Sequence, residues 1–282
     1  MLPQIACIQL TSSESIAENI AHATPLMLQA VEAGARLIVL PENAFYMRHE
    51  GKANPVAPTD IAQHAAVQFC CTFAANHRVW VVIGSVRAKA EGSDKALNRQ
   101  VVIDPDGTVA ATYDKLHLFD VTLPTGQHYR ESAQFAAGEH AVLCAAPPFG
   151  ALGLSICYDV RFPHLYGALA RAGATILLVP SAFTRPTGAA HWESLLRARA
   201  IENGCYVVAP AQCGIHPGGR ETYGHSMIIS PWGEILAEAG DSPTIIHAAY
   251  DAALVQQTRA QIPVLAHYRA IEVKEVTPKV PA

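Results

Sequence analysis

The chain matches itself at a distance, and that repetition limits the folds open to it. Gly34-Ala-Arg-Leu-Ile-Val-Leu-Pro41 is echoed 139 residues on by Gly173-Ala-Thr-Ile-Leu-Leu-Val-Pro180. Ile103-Asp-Pro-Asp-Gly107 is echoed 126 residues on by Ile229-Ser-Pro-Trp-Gly233, and Val79-Trp-Val-Val82 by Cys205-Tyr-Val-Val208 at the same offset. Helix–strand units resemble one another by chance, but a shared offset points to two similar halves. Short β-branched runs alternate with longer Ala-rich runs of helical period, the mark of an α/β protein. Each half then forms one sheet with helices on its outer face. Two such sheets packed face to face give a four-layer α-β-β-α sandwich with internal pseudo-twofold symmetry.

Local signals fill in this frame. Strand runs include Ile5–Leu10, Leu37–Leu40, Val79–Ile83, Val101–Ile103, Ala151–Leu154, Ile176–Val179, Tyr206–Val208 and Met227–Ile229. Ile16, Ile20, Ala23, Met27 and Val31 recur at helical spacing, and Thr11-x-x-Glu14 is a candidate capping box for that helix. Pro25 inside it predicts a kink. A later helix is expected from about Ala189 to Asn203, with Gly204 as its stop. Asp106-Gly107 and Trp232-Gly233 read as hairpin turns. No Pro/Gly/Ser-rich linker divides the halves, so residues 1–270 are expected to form one domain, followed by an extended tail over 271–282.

Composition excludes several classes of partner. The net charge is −4 with no basic run or stripe, which argues against nucleic acid. No apolar run approaches the length needed to span a bilayer, and the N-terminus lacks the positive and apolar regions of a signal peptide. Seven cysteines, an odd number with two adjacent, suit a reducing cytoplasm better than a disulfide framework. The 13 histidines are scattered, so neither a metal site nor a cofactor is expected.

Three strand-like runs end in a reactive side chain. In Gly153-Leu-Ser-Ile-Cys157-Tyr-Asp-Val-Arg-Phe-Pro163 an apolar run stops at a thiol, with a helix expected just beyond. Free N–H groups and the dipole at a helix start would favour the thiolate, the reactive form. The same sulfur also reads as a small buried hydrophobe. Leu37-Ile-Val-Leu-Pro41-Glu42-Asn43 sets a carboxylate at a sheet edge, where α/β folds tend to build sites; a helix cap or loop acid is the other reading. Tyr113-Asp-Lys115-Leu-His-Leu-Phe119 places a lysine among apolar residues, either buried with a partner or snorkelling to solvent. Together the three suggest a mechanism. Cys157 attacks a carbonyl, Glu42, raised in pKa by burial, takes the thiol proton, and Lys115 with the Tyr158 N–H holds the oxyanion. His117, His164 and His191 are rival bases.

Leu-Pro-Glu42, Lys115-Leu-His-Leu-Phe and Ile-Cys157-Tyr-Asp-Val-Arg-Phe-Pro, in this order, resemble the nitrilase superfamily of carbon–nitrogen hydrolases, to about residue 255. The resemblance implies a Glu42–Lys115–Cys157 triad, with Glu131 as a second glutamate orienting lysine and substrate. It also implies the α-β-β-α sandwich and dimers paired through outer helices. Pro180-Ser-Ala-Phe-Thr-Arg-Pro-Thr187 through Asn203, and Val207-Val-Ala-Pro-Ala-Gln-Cys-Gly214, are most similar to the Nit-type branch and its deaminated-glutathione amidases. Pro210 and the Gln127–Arg130 loop depart from that pattern. The implied substrate is the side-chain amide of a 2-oxo acid, with contacts from Phe183, Thr184, Arg185 and Thr187. Arg130, Arg161 and Arg185 are candidate cations for its carboxylates, Arg161 being weighed also as a structural partner of Asp159. An ω-amidase or N-carbamoyl hydrolase is the rival enzyme. A non-enzymatic scaffold is disfavoured by the intact Glu42, Lys115 and Cys157.

Overall fold

The structure, a computed structural model, describes residues 2–48, 56–123 and 126–276. Five strands open the chain: β1 (Gln4–Gln9), β2 (Ala35–Val39), β3 (Trp80–Lys89), β4 (Ala96–Ile103) and β5 (Val109–Asp114). They lie side by side in that order, with Thr244–Ala249 added antiparallel outside β1 and Phe135–Ala136 pairing with β4. β1, β2 and β3 are mutually parallel; β4 and β5 return antiparallel. The second sheet repeats this plan. Ala151–Gly153, Ile176–Leu178 and Tyr206–Ala209 are parallel, Met227–Ile229 and Ile235–Glu238 follow antiparallel, and Leu143–Ala145 closes the other edge. The segments matched in sequence fall on equivalent strands and turns, as two similar halves require.

Alternation along the strands creates the layers. Ile5, Cys7, Leu37, Val39, Val82 and Val102 face the second sheet and share one core with Leu152, Ile176, Val207 and Ile228. Ala6, Ile8, Ile38, Val81 and Val101 point the other way, against α1 (Ile16–Glu32) and α2 (Ala65–His77) through Ala23, Met27, Val67 and Phe73. α3 (Pro163–Arg171) and α4 (Arg185–Asn203) cover the second sheet with Leu165, Leu169, Trp192 and Leu196. Helices thus flank two facing sheets, the expected four layers.

Several local expectations need correction. α1 is capped by Ser15, whose Oγ accepts from Glu18 N at 3.3 Å, not by Thr11. Thr11 Oγ1 instead donates to Cys213 O at 2.7 Å, tying the end of β1 to the other half. The helix runs from Ile16 to Glu32 without a break at Pro25. α4 starts four residues before the expected Ala189, because Pro186 in its first turn suits a helix start. Its C-cap is Gly204 at φ 54°, as expected. Gly107 and Gly233, at φ 83° and 90°, form the two hairpin turns. Residues 271–276 carry no helix or strand, and the rest of the expected tail lies outside the described residues.

Candidate active site

The three reactive residues converge because each leaves a strand toward the same end of the sandwich. Lys115 lies two positions beyond the inward-facing Tyr113, and therefore on the face between the sheets. Glu42 follows β2 in a tight turn, with Asn43 left-handed at φ 56° and its N–H donating to Ser85 Oγ at 2.9 Å. Asn tolerates that conformation better than most residues. The turn also needs Gly84: a Cβ there would stand 2.3 Å from the Leu40 and Pro41 backbone. Gly138 does the same beside Lys115, where a Cβ would stand 2.2 Å from Asp114 O. Gln212 braces the turn from the second half, donating through Nε2 to Glu42 O at 3.0 Å. Cys157 begins a one-turn helix, Cys157–Arg161, at φ 49°, a conformation that costs a non-glycine residue about 1–3 kcal/mol. Its N–H donates to Pro180 O at 2.9 Å, fixing the sharp strand-to-helix turn.

Lys115 is the hub. Only 2% exposed, its Nζ donates to Glu42 Oε1 at 2.9 Å and to Glu131 Oε2 and Oε1 at 2.9 and 3.1 Å. A buried ammonium needs such partners, and the snorkelling reading is excluded. Asn98, on β4, bridges the two acids, donating through Nδ2 at 3.0 Å to both Glu42 Oε1 and Glu131 Oε1. Glu131 Oε2 also accepts from Phe119 N at 2.7 Å. Glu42 Oε2 accepts from Ala182 N at 2.9 Å, across the seam from the second sheet. The Cys157 thiol stands close enough to this carboxylate for each to bear on the other's charge.

The protonation pattern differs from the sequence expectation. Burial acts to raise the Glu42 carboxyl, but the adjacent Lys115 ammonium, with the thiol and Arg220, outweighs it and holds the group below its usual range. For Lys115, burial works against the charge, while the Glu131 and Glu42 carboxylates overcome it and keep the amine charged. Burial, and then the Glu42 carboxylate, push the Cys157 thiol up, against the pull of Lys115. The resting set is therefore a carboxylate, an ammonium and a neutral thiol. A one-turn helix start does not outweigh burial beside an anion.

These groups line one pocket with Tyr158, Phe183, Thr184, Thr187, Tyr129, Arg130 and Arg220. Arg185 is not among the lining; it pairs on the surface with Glu221 at 3.3 Å and Asp241 at 3.6 Å. Arg161 is also outside, 3.3 Å from His191 Nδ1 and over the Phe183 ring. The rival bases are held elsewhere. His117 Nδ1 sits 2.7 Å from Asp159 Oδ1 and its ring stacks on Phe162, His164 joins that aromatic cluster, and His191 stands beside Arg161. Asn98 and Arg220 escaped sequence reading: one lies mid-strand, the other in a Gly-rich loop, and neither position carries a motif.

A model of the carbon-nitrogen hydrolase family matches residues 4–260. The chain belongs to this family. Carbon–nitrogen hydrolases act on bonds other than peptide bonds, and this chain is such a hydrolase. It is 46% identical over 264 residues to the deaminated glutathione amidase of Synechocystis sp. (strain PCC 6803 / GT-S), covering 93% of this chain and 96% of the relative. The human deaminated glutathione amidase is 39% identical over 271 residues, 95% of this chain and 83% of the relative. Among solved carbon–nitrogen hydrolases, Saccharomyces cerevisiae Nit3, a member of branch 10 of the nitrilase superfamily, superposes with a TM-score of 0.80 at 29% identity, covering 93% and 94% of the two chains. The Caenorhabditis elegans NitFhit protein gives 0.86 at 37% identity; the match covers 95% of this chain but 66% of that one.

Proposed function

We propose that the chain is an amidase that hydrolyses the side-chain amide of a 2-oxo acid, deaminated glutathione, to 2-oxoglutarate and cysteinylglycine. The observation that carries this reading is the 46% identity to a deaminated glutathione amidase over nearly both lengths. Cys157 Sγ attacks the amide carbon as its proton passes to Glu42, which is ionised and stands beside the thiol. Lys115 and the Tyr158 N–H, in the first turn of a helix where no intrahelical acceptor exists, hold the oxyanion. Glu42 returns the proton to the departing amine of cysteinylglycine, leaving a thioester on Cys157. Water attacks the thioester while Glu42 takes its proton, and the acid leaves as that proton returns to sulfur. Glu131 and Asn98 hold Lys115 and Glu42 in register throughout.

The reading extends to a cytoplasmic homodimer paired through outer helices. All seven cysteines are free thiols, as a reducing compartment requires. Ile201, 52% exposed on α4, lies against the 230–233 turn, which also presents the half-exposed Trp232. No helix among the described residues is long and apolar enough to cross a membrane. A panel of deaminated glutathione, 2-oxoglutaramate and N-carbamoyl amines, with mass detection of the Cys157 acyl-enzyme, tests the function. Deaminated glutathione is expected to be turned over fastest, with the thioester mass on the Cys157 peptide. Much faster turnover of the glutaramate would overturn the choice of substrate.

A further inference from the structure

The pocket extends past the buried ions to an end that the mechanism above does not use. Arg87 on β3 stands directly opposite Asn98 in the β3–β4 register. Opposed residues of an antiparallel pair share a face, with Cβ atoms roughly 5 Å apart. The Arg87 side chain therefore rises from the same face as Asn98, whose Nδ2 touches both acids of the site, and it lines the same pocket. Its Nε and Nη1 are buried and have no hydrogen-bond partner among the described residues, although its guanidinium lies 5.0 Å from the centre of the Phe135 ring. A ring face attracts a cation but does not take up N–H donors in the plane of the guanidinium.

A second group lining the pocket has the same character. His64, 5% exposed at the N-cap of α2, also lines the pocket, and its Nδ1 is buried with no hydrogen-bond partner among the described residues. Burial holds this imidazole below its usual pKa, so it faces the cavity as a neutral ring with a nitrogen to offer. Arg48 also lines the pocket, and with the Gln134 amide oriented to satisfy both groups, its Nη1 and Nη2 donate to the Gln134 oxygen at 2.6 and 3.1 Å. Burial and the like charge of Arg48 work against ionisation of Arg87. Two guanidiniums converging on one cavity, with buried donors on one of them, are complementary to an anion. No carboxylate among the described residues pairs with Arg87.

We propose that Arg87, with His64, forms a subsite that binds a carboxylate of the substrate and so fixes which amides the enzyme accepts. This rests on the amidase reading above, whose substrate carries one carboxylate on the 2-oxo side of the scissile amide and another at the glycine end of the leaving dipeptide. An Arg fork is suited to bidentate binding of either. The residue is placed to position substrate, so its loss should appear in KM more than in kcat.

The test compares Arg87→Met and Arg87→Lys with the unmodified protein on deaminated glutathione, on 2-oxoglutaramate and on deaminated glutathione with its glycine carboxylate amidated. Thermal melting checks that each variant is folded. The expected result is a fall in kcat/KM on deaminated glutathione of about 10- to 100-fold for Arg87→Met, carried by KM. Lys retains the charge but not the fork, and should recover part of it. An equal fall on the glutaramate assigns the subsite to the 2-oxo carboxylate. A fall confined to deaminated glutathione, with the amidated compound poor for the unmodified protein and no worse for the variant, assigns it to the glycine carboxylate. Unchanged KM on all three, in a folded variant, overturns the proposal. If the unmodified protein hydrolyses none of them, the functional reading has failed instead. The subsite then remains testable by calorimetric binding of 2-oxoglutarate and of cysteinylglycine: Arg87→Met should abolish binding of one, and equal binding by both proteins would overturn it.

Discussion

The two halves of the molecule share a frame and differ in what they hang on it. In the first, Ile5 pairs with Leu37 and the parallel strands run β1, β2, β3; in the second, Leu152 pairs with Ile176 and the same order follows. Both middle strands run into a proline. After Pro41 comes Glu42, and after Pro180, at the 139-residue offset, comes Ser181. By the same register Cys157 corresponds to Leu10, a buried core residue, and at the 126-residue offset Lys115 corresponds to Asp241, an exposed acid beside Arg185. In the proposed mechanism one half supplies the base, the ammonium and the bridging Asn98; the other supplies the thiol and the Ala182 N–H. The halves share the scaffold, and the strand-end residues in which they differ carry the proposed chemistry. Neither half alone contains the site.

Breaking the contribution of the second half should have the largest effect. Cys157→Ala removes the nucleophile but little volume, and kcat should fall on the order of 10⁴-fold or more, with no acyl-enzyme detected by mass. Hydrolysis at an undiminished rate would sink the covalent mechanism. Removing the base of the first half comes next. Glu42→Gln keeps the size of the side chain, so kcat should fall on the order of 10²- to 10⁴-fold while the fold persists. Lys115 keeps Glu131 as a partner, and the cost in stability should stay at or below about 3 kcal/mol, the lower end for breaking a buried ion pair.

The Glu42→Gln variant also isolates a pH effect. A carboxyl held below its usual pKa in the folded state binds protons more readily when unfolded, so folding is favoured once the unfolded group is ionised. That stabilisation is present above the unfolded value and is lost as pH falls through the lower folded value. Denaturant titrations taken from neutral pH into the acid range should show the unmodified protein losing more stability than Glu42→Gln. Parallel curves would mean that Lys115 does not stabilise the Glu42 charge.

Glu131→Gln sharpens the comparison within the first half. This residue touches Lys115 and Asn98, so its loss should let the ammonium drift, lowering kcat about 10- to 100-fold with KM little changed. A purely structural role would lower the melting temperature and leave the kcat of the folded protein intact.

What was legible beforehand follows this division of labour. Strand-end residues stand out because a reactive group after an apolar run has no packing reason to be there, and Glu42, Lys115 and Cys157 are all of that kind. The layers were legible for a related reason: segments matched at fixed offsets must occupy equivalent strands. Asn98 and Arg87 sit inside strands, where a polar residue normally faces solvent, and only the register between β3 and β4 turns them inward. Arg185 misled because its neighbours Phe183, Thr184 and Thr187 line the pocket, whereas at the first position of α4 its own side chain turns toward Glu221 and Asp241. The low pKa of Glu42 was hidden because burial alone raises a carboxyl, and only the placement of Lys115 2.9 Å away reverses the sign.

The smallest effect should come from the position that answers to Glu42 in the other half. Ser181 is fully buried, yet its Oγ donates only to Val179 O, two residues back, at 3.0 Å. Its backbone does the positional work, donating to Pro210 O and accepting from Gln212 N, both at 2.9 Å, and a side-chain substitution leaves those bonds in place. Ser181→Ala should therefore cost about 1 kcal/mol, the net value of one hydrogen bond, and leave kcat unchanged. A large loss of activity would mean that the strand end of the second half shapes the site through its side chain, and that the asymmetry between the halves is less complete than Glu42 and Ser181 suggest. Measured beside Glu42→Gln, the variant compares one position of the duplicated frame with and without its chemistry.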